Sequence, residues 1–298
     1  MLVEARVWVA GEALIDLIPD SSGQRVALVG GGPANTAKAI ARLGYATSFI
    51  GGISTDTYGP MIEEELMASG VDLSLVYRSD QSTARAIATL DSSGTASYEF
   101  ELEKTATFAF DESWLPTGDV EVIHVGSVAT MLEPGASELL NWVSTKSSAV
   151  VFDPNVRPSI QGDKDVYRNS VERWIGVASI VKLSEDDLNW LYGDEFVVKS
   201  WLGRGVSLVV ITRGDKGLSA LGAGFRVDVP AIAVEVADTV GAGDTIGAVL
   251  VAGLLEYGLS GLSGENLFEV LERATKAAAL TCSRVGANPP WKAELDQL

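Results

Sequence analysis

The stretch that decides the fold and the chemistry of this chain is Asp238-Thr-Val-Gly-Ala-Gly-Asp244, a glycine-rich turn that ends in a carboxylate at the start of an apolar helix. Gly241 and Gly243 carry no Cβ, so the turn can adopt strained dihedrals and direct its backbone N–H groups to one point. The helix that follows adds unpaired N–H groups and the positive end of its dipole there. The pattern predicts an anion site, beside which Asp244 could take a proton from an attacking hydroxyl in phosphoryl transfer. An ordinary capped helix start is the competing interpretation.

A second glycine-rich segment, Gly30-Gly-Gly-Pro-Ala-Asn-Thr-Ala37, lies between an apolar, strand-like run and a predicted helix over residues 34–43. Pro33 suits a first helical turn, and Asn35 can offer both amide donors and a carbonyl to a polyol. The Gly-x-Gly-x-x-Gly spacing of a dinucleotide site is absent, because Pro-Ala-Asn stands where the third glycine would have to follow. The segment therefore argues against a Rossmann cofactor site.

Together, the two segments resemble the two signatures of the ribokinase or PfkB family of carbohydrate kinases. Further matches lie between them in one order along the chain: Gly11-Glu-Ala-Leu-Ile-Asp16, Asp56-Thr-Tyr-Gly59, Phe152-Asp-Pro-Asn-Val-Arg157 and Ile211-Thr-Arg-Gly-Asp-Lys-Gly217. The resemblance covers nearly the whole chain, and the sequence is most similar to the fructokinase branch. It implies a single ribokinase-like kinase domain over residues 1–298, a three-layer α/β sandwich with a mostly parallel central sheet and a small β lid.

The hydrophobic pattern agrees with such a fold, since short β-branched runs alternate with amphipathic helices. The central strands are predicted at residues 7–10, 47–50, 122–125, 150–152, 179–181 and 208–211. Residues 24–29 and 84–100 do not fit the alternation and are predicted to be antiparallel strands, the second a hairpin turned at Asp91-Ser-Ser-Gly94. On the resemblance, the lid is formed by insertions at about residues 12–32 and 84–108.

The resemblance implies a role for each cluster in phosphoryl transfer from ATP to a sugar. Asp244 would be the general base, with the backbone of Gly241, Ala242 and Gly243 as the anion hole. The sugar would be held by Asp16, Gly31, Gly32, Asn35 and Arg157. The nucleotide would be held by Thr212, Gly214, Lys216, Gly217 and Gly243. Plainer interpretations stay open for three of them: Asp16 as a solvated turn acid, and Arg157 and Lys216 as solvated loop side chains.

Two further sets of residues are implied to act on cations. Glu185 and Asp187 stand where the family carries an Asn-x-x-Glu motif, and they would influence Mg²⁺ and phosphate indirectly. Asp238, Thr239 and Gly286 lie in segments that resemble the paired loops holding a monovalent cation, for which carbonyl oxygens and K⁺ are suited. Two adjacent turns without an ion are the alternative.

Composition narrows the classes of function. The 298 residues include 40 acidic against 22 basic side chains, a formal charge of −18, and such a surface repels nucleic acid and anionic membranes. The single cysteine, Cys282, cannot form an internal disulfide. The single histidine, His124, rules out a multi-histidine metal site and is predicted to be buried at a strand end. With no signal pattern and no apolar run judged long enough to cross a bilayer, we expect a soluble cytoplasmic protein.

The acceptor is predicted from the second lid strand. Leu102 stands where many fructokinase and ketodeoxygluconate kinase relatives carry an arginine, and Glu99, Glu101 and Glu103 lie nearby. A sugar acid would leave its carboxylate poorly compensated there, although Arg157 could pair with it. The implied reaction is ATP-dependent phosphorylation of the terminal hydroxyl of a neutral sugar, with fructose first, ribose or another neutral polyol second and 2-keto-3-deoxygluconate third.

A protein of another class is the alternative, namely a catalytically silent sugar- or nucleotide-binding regulator. It is less favoured, because a binding protein has no physical need for a base beside an anion hole. The expected partners are the small-molecule sugar and ATP, with no nucleic acid and no membrane. A homodimer formed through the lid is a further expectation.

Overall fold

Burial along the first strand shows why the chain builds a sheet covered on both faces. The structure is a computed structural model that describes residues 5–20, 22–90 and 96–297. Val7 and Val9 lie in one hydrophobic core, and Trp8 and Ala10 lie in a second core. Since side chains alternate along a strand, the two apolar faces each need a layer of helices. The predicted three-layer α/β fold is confirmed.

The elements follow in chain order. The strands are β1 (Val7–Ala10), β2 (Leu14–Pro19), β3 (Arg25–Gly30), β4 (Thr47–Ile50), β5 (Gly52–Ser54), β6 (Tyr77–Ser79), β7 (Arg85–Leu90), β8 (Ala96–Glu101), β9 (Val122–Gly126), β10 (Ala149–Asp153), β11 (Ile180–Ser184), β12 (Leu208–Thr212), β13 (Leu218–Gly222) and β14 (Phe225–Val229). The helices are α1 (Gly32–Arg42), α2 (Gly59–Ala68), α3 (Gly135–Ser144), α4 (Lys164–Ile175), α5 (Glu185–Tyr192), α6 (Phe196–Gly203), α7 (Ala242–Gly261), α8 (Gly264–Cys282) and α9 (Lys292–Leu295).

The central sheet has the strand order β14-β13-β12-β11-β10-β9-β1-β4. Its pairs from β4 to β12 are parallel, whereas β13 and β14 add an antiparallel edge. All six predicted central strands are present. The β13–β14 hairpin was not predicted, because β14 is mostly exposed and carries a weak apolar pattern. Gly224, at φ +82°, lies in its turn, a conformation that glycine adopts without strain.

Helices cover the two faces in separate groups. Side chains of α1, α2, α7, α8 and α9 enter the first core, and those of α3 to α6 enter the second. Helix α1 begins two residues before its predicted start, with Pro33 in the first turn as expected. The carboxyl ends of the parallel strands and the start of α7 thus meet at one edge of the sheet, where ligands bind in open α/β folds.

Helix α7 corrects one expectation from the sequence. Its 20 residues are long and apolar enough to cross a membrane by length and composition, the one such helix in the described part of the chain. Most of it is buried, from Asp244 to Leu254, and it packs between α1 and α8. Its apolar character is therefore explained by a place in the core rather than by a bilayer.

A smaller sheet with strand order β3-β2-β7-β8 forms the lid. Strands β2 and β3 pair antiparallel, β2 and β7 pair parallel, and β7 and β8 form an antiparallel hairpin. The insertions expected at residues 12–32 and 84–108 enclose these four strands. The predicted turn at Asp91-Ser-Ser-Gly94 lies outside the described residues, whereas the strands β7 and β8 that flank it are described.

Candidate active site

A cavity of about 490 Å³ opens where the lid faces the carboxyl edge of the central sheet. Strand ends supply part of its wall: Glu12 follows β1, Ser127 follows β9 and Asn155 follows β10. The lid and the start of α7 complete it with Asp16 and Asp244. The cavity therefore collects polar side chains that are far apart in the sequence.

The glycine-rich turn leads directly into α7 at the edge of the cavity. Gly241 has φ +79° and precedes the first residue of α7. Gly241 and Gly243 line the cavity, while the Ala242 N–H donates to the Thr239 carbonyl at 3.3 Å. The first turn of α7 thus directs its amide end and positive dipole at the cavity, an arrangement that suits an anion.

Asp244 lies buried in that first turn, where it can act as a base. The Asn35 side-chain amide donates to its Oδ2 at 3.0 Å. Burial raises the pKa of Asp244 to about 6, against the lowering effect of Lys182, and Asp153 adds to the rise. A carboxylate with a pKa near the working pH is a better proton acceptor than an ordinary aspartate.

The same cavity offers groups for hydroxyl recognition. The Asp16 carboxylate lies over Gly30, where an added Cβ would stand only 2.2 Å from its Oδ2. Burial raises the pKa of Asp16 and Arg157 lowers it. The Asn35 Oδ1 is buried and has no hydrogen-bond partner among the described residues, so it is placed to accept from a ligand hydroxyl.

Gly31 and Gly32 are required by close packing at the start of α1. Gly31 has φ +104°, and an added Cβ would stand 2.5 Å from the Glu12 carbonyl oxygen. At Gly32 it would stand 2.8 Å from the Asn155 side-chain nitrogen and 3.4 Å from Asp244 Oδ1. The two glycines therefore let the start of α1 approach Glu12, Asn155 and Asp244 in the cavity wall.

Several polar residues of the site were missed as site residues by the sequence analysis. Asn155 lies inside a quoted family match, and Lys182 stands within an apolar strand, which is itself a signal because lysine is rarely buried. Ser127 has φ +59°, which no sequence pattern revealed. Glu12 is buried, and its Oε2 accepts from the Ala129 N–H at 3.1 Å. Arg157, which was predicted, lies at the rim and donates to the Asn155 and Val156 carbonyls at 3.2 and 3.1 Å.

The lid strands present one face to the cavity. Ala86 and Phe100, paired across β7 and β8, line it together with Asp16. Strand alternation directs Glu99 and Glu101 to the other face, where Glu101 forms an ion pair with Arg85. Leu102 belongs to the second core and does not line the cavity. The residue of the second lid strand that faces the cavity is therefore Phe100.

Of the predicted nucleotide residues, Gly243 lines this cavity, whereas Thr212, Gly214, Lys216 and Gly217 do not. Thr212 ends β12 opposite Ser184 of β11, and a 3₁₀ turn over Gly214–Lys216 follows. Gly217 has φ +96° and packs against the backbone of Val229. Lys216 is exposed, with its Nζ 3.5 Å from a Glu185 carboxylate oxygen.

The two predicted magnesium-related acids point in different directions. Glu185 forms an ion pair with Arg213. Asp187 completes a capping box with Ser184, and its Oδ1 accepts from the Val156 N–H at 3.1 Å. Burial raises the pKa of Asp187, with a further contribution from Asp153. Asp187 is therefore the one of the two that belongs electrostatically to the site.

The two loops of the predicted monovalent-cation site do meet. The Asp238 Oδ2 accepts from the Gly286 N–H at 2.9 Å, and its Oδ1 accepts from the Val240 N–H at 3.1 Å. Ala287, in the second loop, packs against Gly241. An ion at these loops would thus be in direct contact with the segment that forms the anion hole.

His124 is buried on β9, as predicted. Neither ring nitrogen has a hydrogen-bond partner in the described part of the chain. Burial lowers the pKa of His124 to about 4. The imidazole is therefore neutral at physiological pH and plays a packing role.

An anion site at a helix start, a buried base beside it and a hydroxyl-binding pocket beneath a lid define a phosphotransferase that acts on an alcohol. Comparison with known proteins agrees. The sequence model of the pfkB family of carbohydrate kinases matches residues 4–294. The chain belongs to that family, and it is an ATP-dependent sugar kinase.

Curated and solved relatives cover the chain almost completely. A fructokinase from Klebsiella pneumoniae is 31% identical, with 99% of each chain covered. A crystal structure of fructokinase from Vibrio cholerae O395 with fructose, ADP and a calcium ion has a TM-score of 0.86 at 28% identity, with 98% of each chain covered. An uncharacterized sugar kinase from Pyrococcus horikoshii in complex with ATP has a TM-score of 0.83 at 28% identity, covering 98% of this chain and 97% of the other.

Proposed function

We propose that the protein phosphorylates the terminal hydroxyl of fructose to give fructose 6-phosphate. The observation that carries the proposal is the buried Asp244 carboxylate between the amide end of α7 and the pocket of Asp16 and Asn35. In the proposed step the sugar oxygen forms a bond to the γ-phosphorus of ATP as the bond to the bridging oxygen of ADP breaks. The hydroxyl proton passes to Asp244, and the backbone amides of Gly241 and Gly243, which line the cavity, hold the charge of the transferring group. The Ala242 N–H, predicted to share this role, donates to the Thr239 carbonyl instead.

Thr212, Gly214, Lys216 and Gly217 are proposed to hold the nucleotide at the neighbouring strand end. Mg²⁺ is the proposed metal, because it binds through substrate phosphates and few carboxylates, with its other positions held by water. The described residues contain no group of three acidic, histidine or cysteine side chains that could hold a metal by themselves. Asp187 fits an outer role through water, while Glu185 would first have to leave Arg213. Bound with ATP, the ion would neutralise phosphate charge.

The preference for a neutral sugar follows from the charge of the cavity. Lys182 is already paired with Asp153. Arg157 already interacts with Glu12 and Asp16, since it lowers the pKa of both. A sugar acid would add a further negative charge without a new partner. We expect kcat/KM for fructose to exceed that for 2-keto-3-deoxygluconate by about 10²-fold or more, with ribose between them. A coupled assay of ADP release over this panel measures it.

A lid variant sharpens this experiment. Phe100→Arg would place a cation on the cavity face of the lid, so the fructose preference should narrow, whereas Glu99→Arg on the other face should leave it unchanged. A wild-type preference for the sugar acid would overturn the fructose assignment and leave the kinase mechanism in place. If the protein releases ADP with none of the sugars and a sugar still binds, a catalytically silent, sugar-binding regulator becomes the better interpretation.

A monovalent cation, with K⁺ as the proposed ion, would order the anion hole through Asp238, Thr239 and Gly286. The hydrogen bond between the two loops and the contact of Ala287 with Gly241 support this. We expect turnover to rise several-fold when K⁺ replaces a bulky organic cation at constant ionic strength. Equal turnover in the two salts would exclude the site.

The lid is also the proposed surface of a homodimer in the cytoplasm. Ile18, Val26 and Leu28 are more than a third exposed and lie on the same face of β2 and β3 as Asp16, so an exposed apolar patch continues the cavity face of the lid. We expect a dimer by light scattering and a shift to monomer in Leu28→Lys. A monomeric wild type at assay concentration would contradict this.

A further inference from the structure

Lys182 is a buried cation that lies at the centre of the site. It stands on β11 and is only 5% exposed, and its Nζ donates to Asp153 Oδ2 at 2.7 Å. An added Cβ on Gly243 would lie 2.9 Å from that Nζ, so the ammonium group lies directly against the backbone of the glycine-rich turn. The absence of a side chain at Gly243 provides the room that the ammonium occupies.

Fold stability does not account for this pair. Replacing a buried ion pair with apolar residues is often neutral or stabilising, because both charges must be desolvated. Ile180, two residues before Lys182 and therefore on the same face of β11, is fully buried in the first core, so this face accommodates an apolar side chain. Burial alone would lower the pKa of Lys182, but Asp153 and Asp244 outweigh it and raise that pKa. The side chain is therefore charged, and its charge faces the cavity.

We propose that Lys182 is a further catalytic residue, the resident cation of the anion hole, with Asp153 as its positioning residue. The proposal rests on the proposed phosphoryl transfer. As the sugar oxygen bonds to the γ-phosphorus and the bond to ADP breaks, negative charge lies on the three other γ-oxygens beside Gly243. Lys182 stabilises that charge and keeps its own proton, because the hydroxyl proton goes to Asp244. Between turnovers, the same ammonium favours the ionised form of Asp244.

The groups around Asp244 come from every element packed against it. Helix α1 contributes the neutral amide of Asn35, and β9 contributes His124, which is uncharged at neutral pH. The charged groups are Lys182 on β11, Asp153 on β10, Asp187 on α5, and Arg157 in the loop after β10, with Glu12 and Asp16 further along the cavity. Lys182 lowers the pKa of Asp244 and Asp153 raises it. Removing Lys182 should therefore raise the pKa of Asp244, and removing Asp153 should lower it.

The test compares Lys182→Met with Asp153→Asn in pH profiles of kcat/KM. The wild-type acid limb is expected near pH 6, where Asp244 titrates. It should move to higher pH in Lys182→Met and to lower pH in Asp153→Asn. Carbon-13 NMR titration of the Asp244 carboxyl in the ligand-free protein measures the same pKa shifts independently of any activity assay. A wild type inactive on every sugar would contradict the proposed function, while the titration would still test the coupling.

The double variant Lys182→Met/Asp153→Asn separates catalysis from folding, because it removes both charges of this ion pair and leaves neither partner buried without the other. It should regain wild-type thermal stability yet keep kcat lowered by about 10²-fold, in the range of losing one anion-hole donor. The KM values for sugar and ATP should change little. Recovery of kcat in the double variant would overturn the proposal, as would acid limbs that move in the same direction or stay fixed in the two single variants.

Discussion

Asp244→Asn is expected to lower turnover by about 10²–10⁴-fold while nucleotide affinity stays nearly constant, because the change removes only the proton acceptor. The asparagine oxygen can still accept from Asn35, as Asp244 Oδ2 does at 3.0 Å. The measurement is kcat from ADP release together with a calorimetric Kd for ATP. Near-wild-type turnover would remove Asp244 from the role of base.

The same variant should be more stable above neutral pH. A folded pKa of about 6 against an ordinary 3.8 means that keeping Asp244 ionised costs up to about 3 kcal/mol of the free energy of unfolding. The gain in Asp244→Asn should therefore be full above pH 6 and vanish as the pH falls toward 4. Asp163→Asn, at the start of α4, is the matched control and should change neither turnover nor this pH dependence.

Gly241→Ala is expected to lower kcat by about 10²–10³-fold, comparable to the loss of an oxyanion donor, because it displaces the start of α7. Gly241 has φ +79°, and an added Cβ would stand 2.8 Å from the Cβ of Ala287 and 2.9 Å from its Cα. The left-handed conformation alone costs an alanine about 1–2 kcal/mol. Thermal unfolding and kcat are measured together.

Gly224→Ala separates strain from contact. Gly224 has nearly the same φ as Gly241, +82°, but no atom lies within 4 Å of a Cβ added there. It should lose a similar conformational free energy and keep full activity. Adding Ala287→Gly to Gly241→Ala should restore part of the lost turnover. If Gly224→Ala is equally inactive, the effect is one of global stability, and the anion-hole argument fails.

Much of the fold could be predicted from local pattern. The six central strands were predicted because each is a short β-branched run, and the two helices behind the glycine motifs because Pro33 and Gly241 mark their starts. The β13–β14 hairpin could not be, since an exposed edge strand has little apolar periodicity to detect. The length of the apolar run in α7 was underestimated, since this helix is long and apolar enough to span a membrane, but its burial in the core accounts for its composition.

The sequence by itself determined the family and the phosphotransferase class, and it predicted the base and the glycine turns, because these depend on residue types at fixed local spacing. Only the tertiary structure decided which side chains share the cavity. It placed Phe100 rather than Leu102 in the wall of the cavity, turned Glu185 to Arg213, and set Lys182 against Gly243. The physical reason is that burial and charge interactions act between neighbours in space, and those neighbours come from different strands of the sheet.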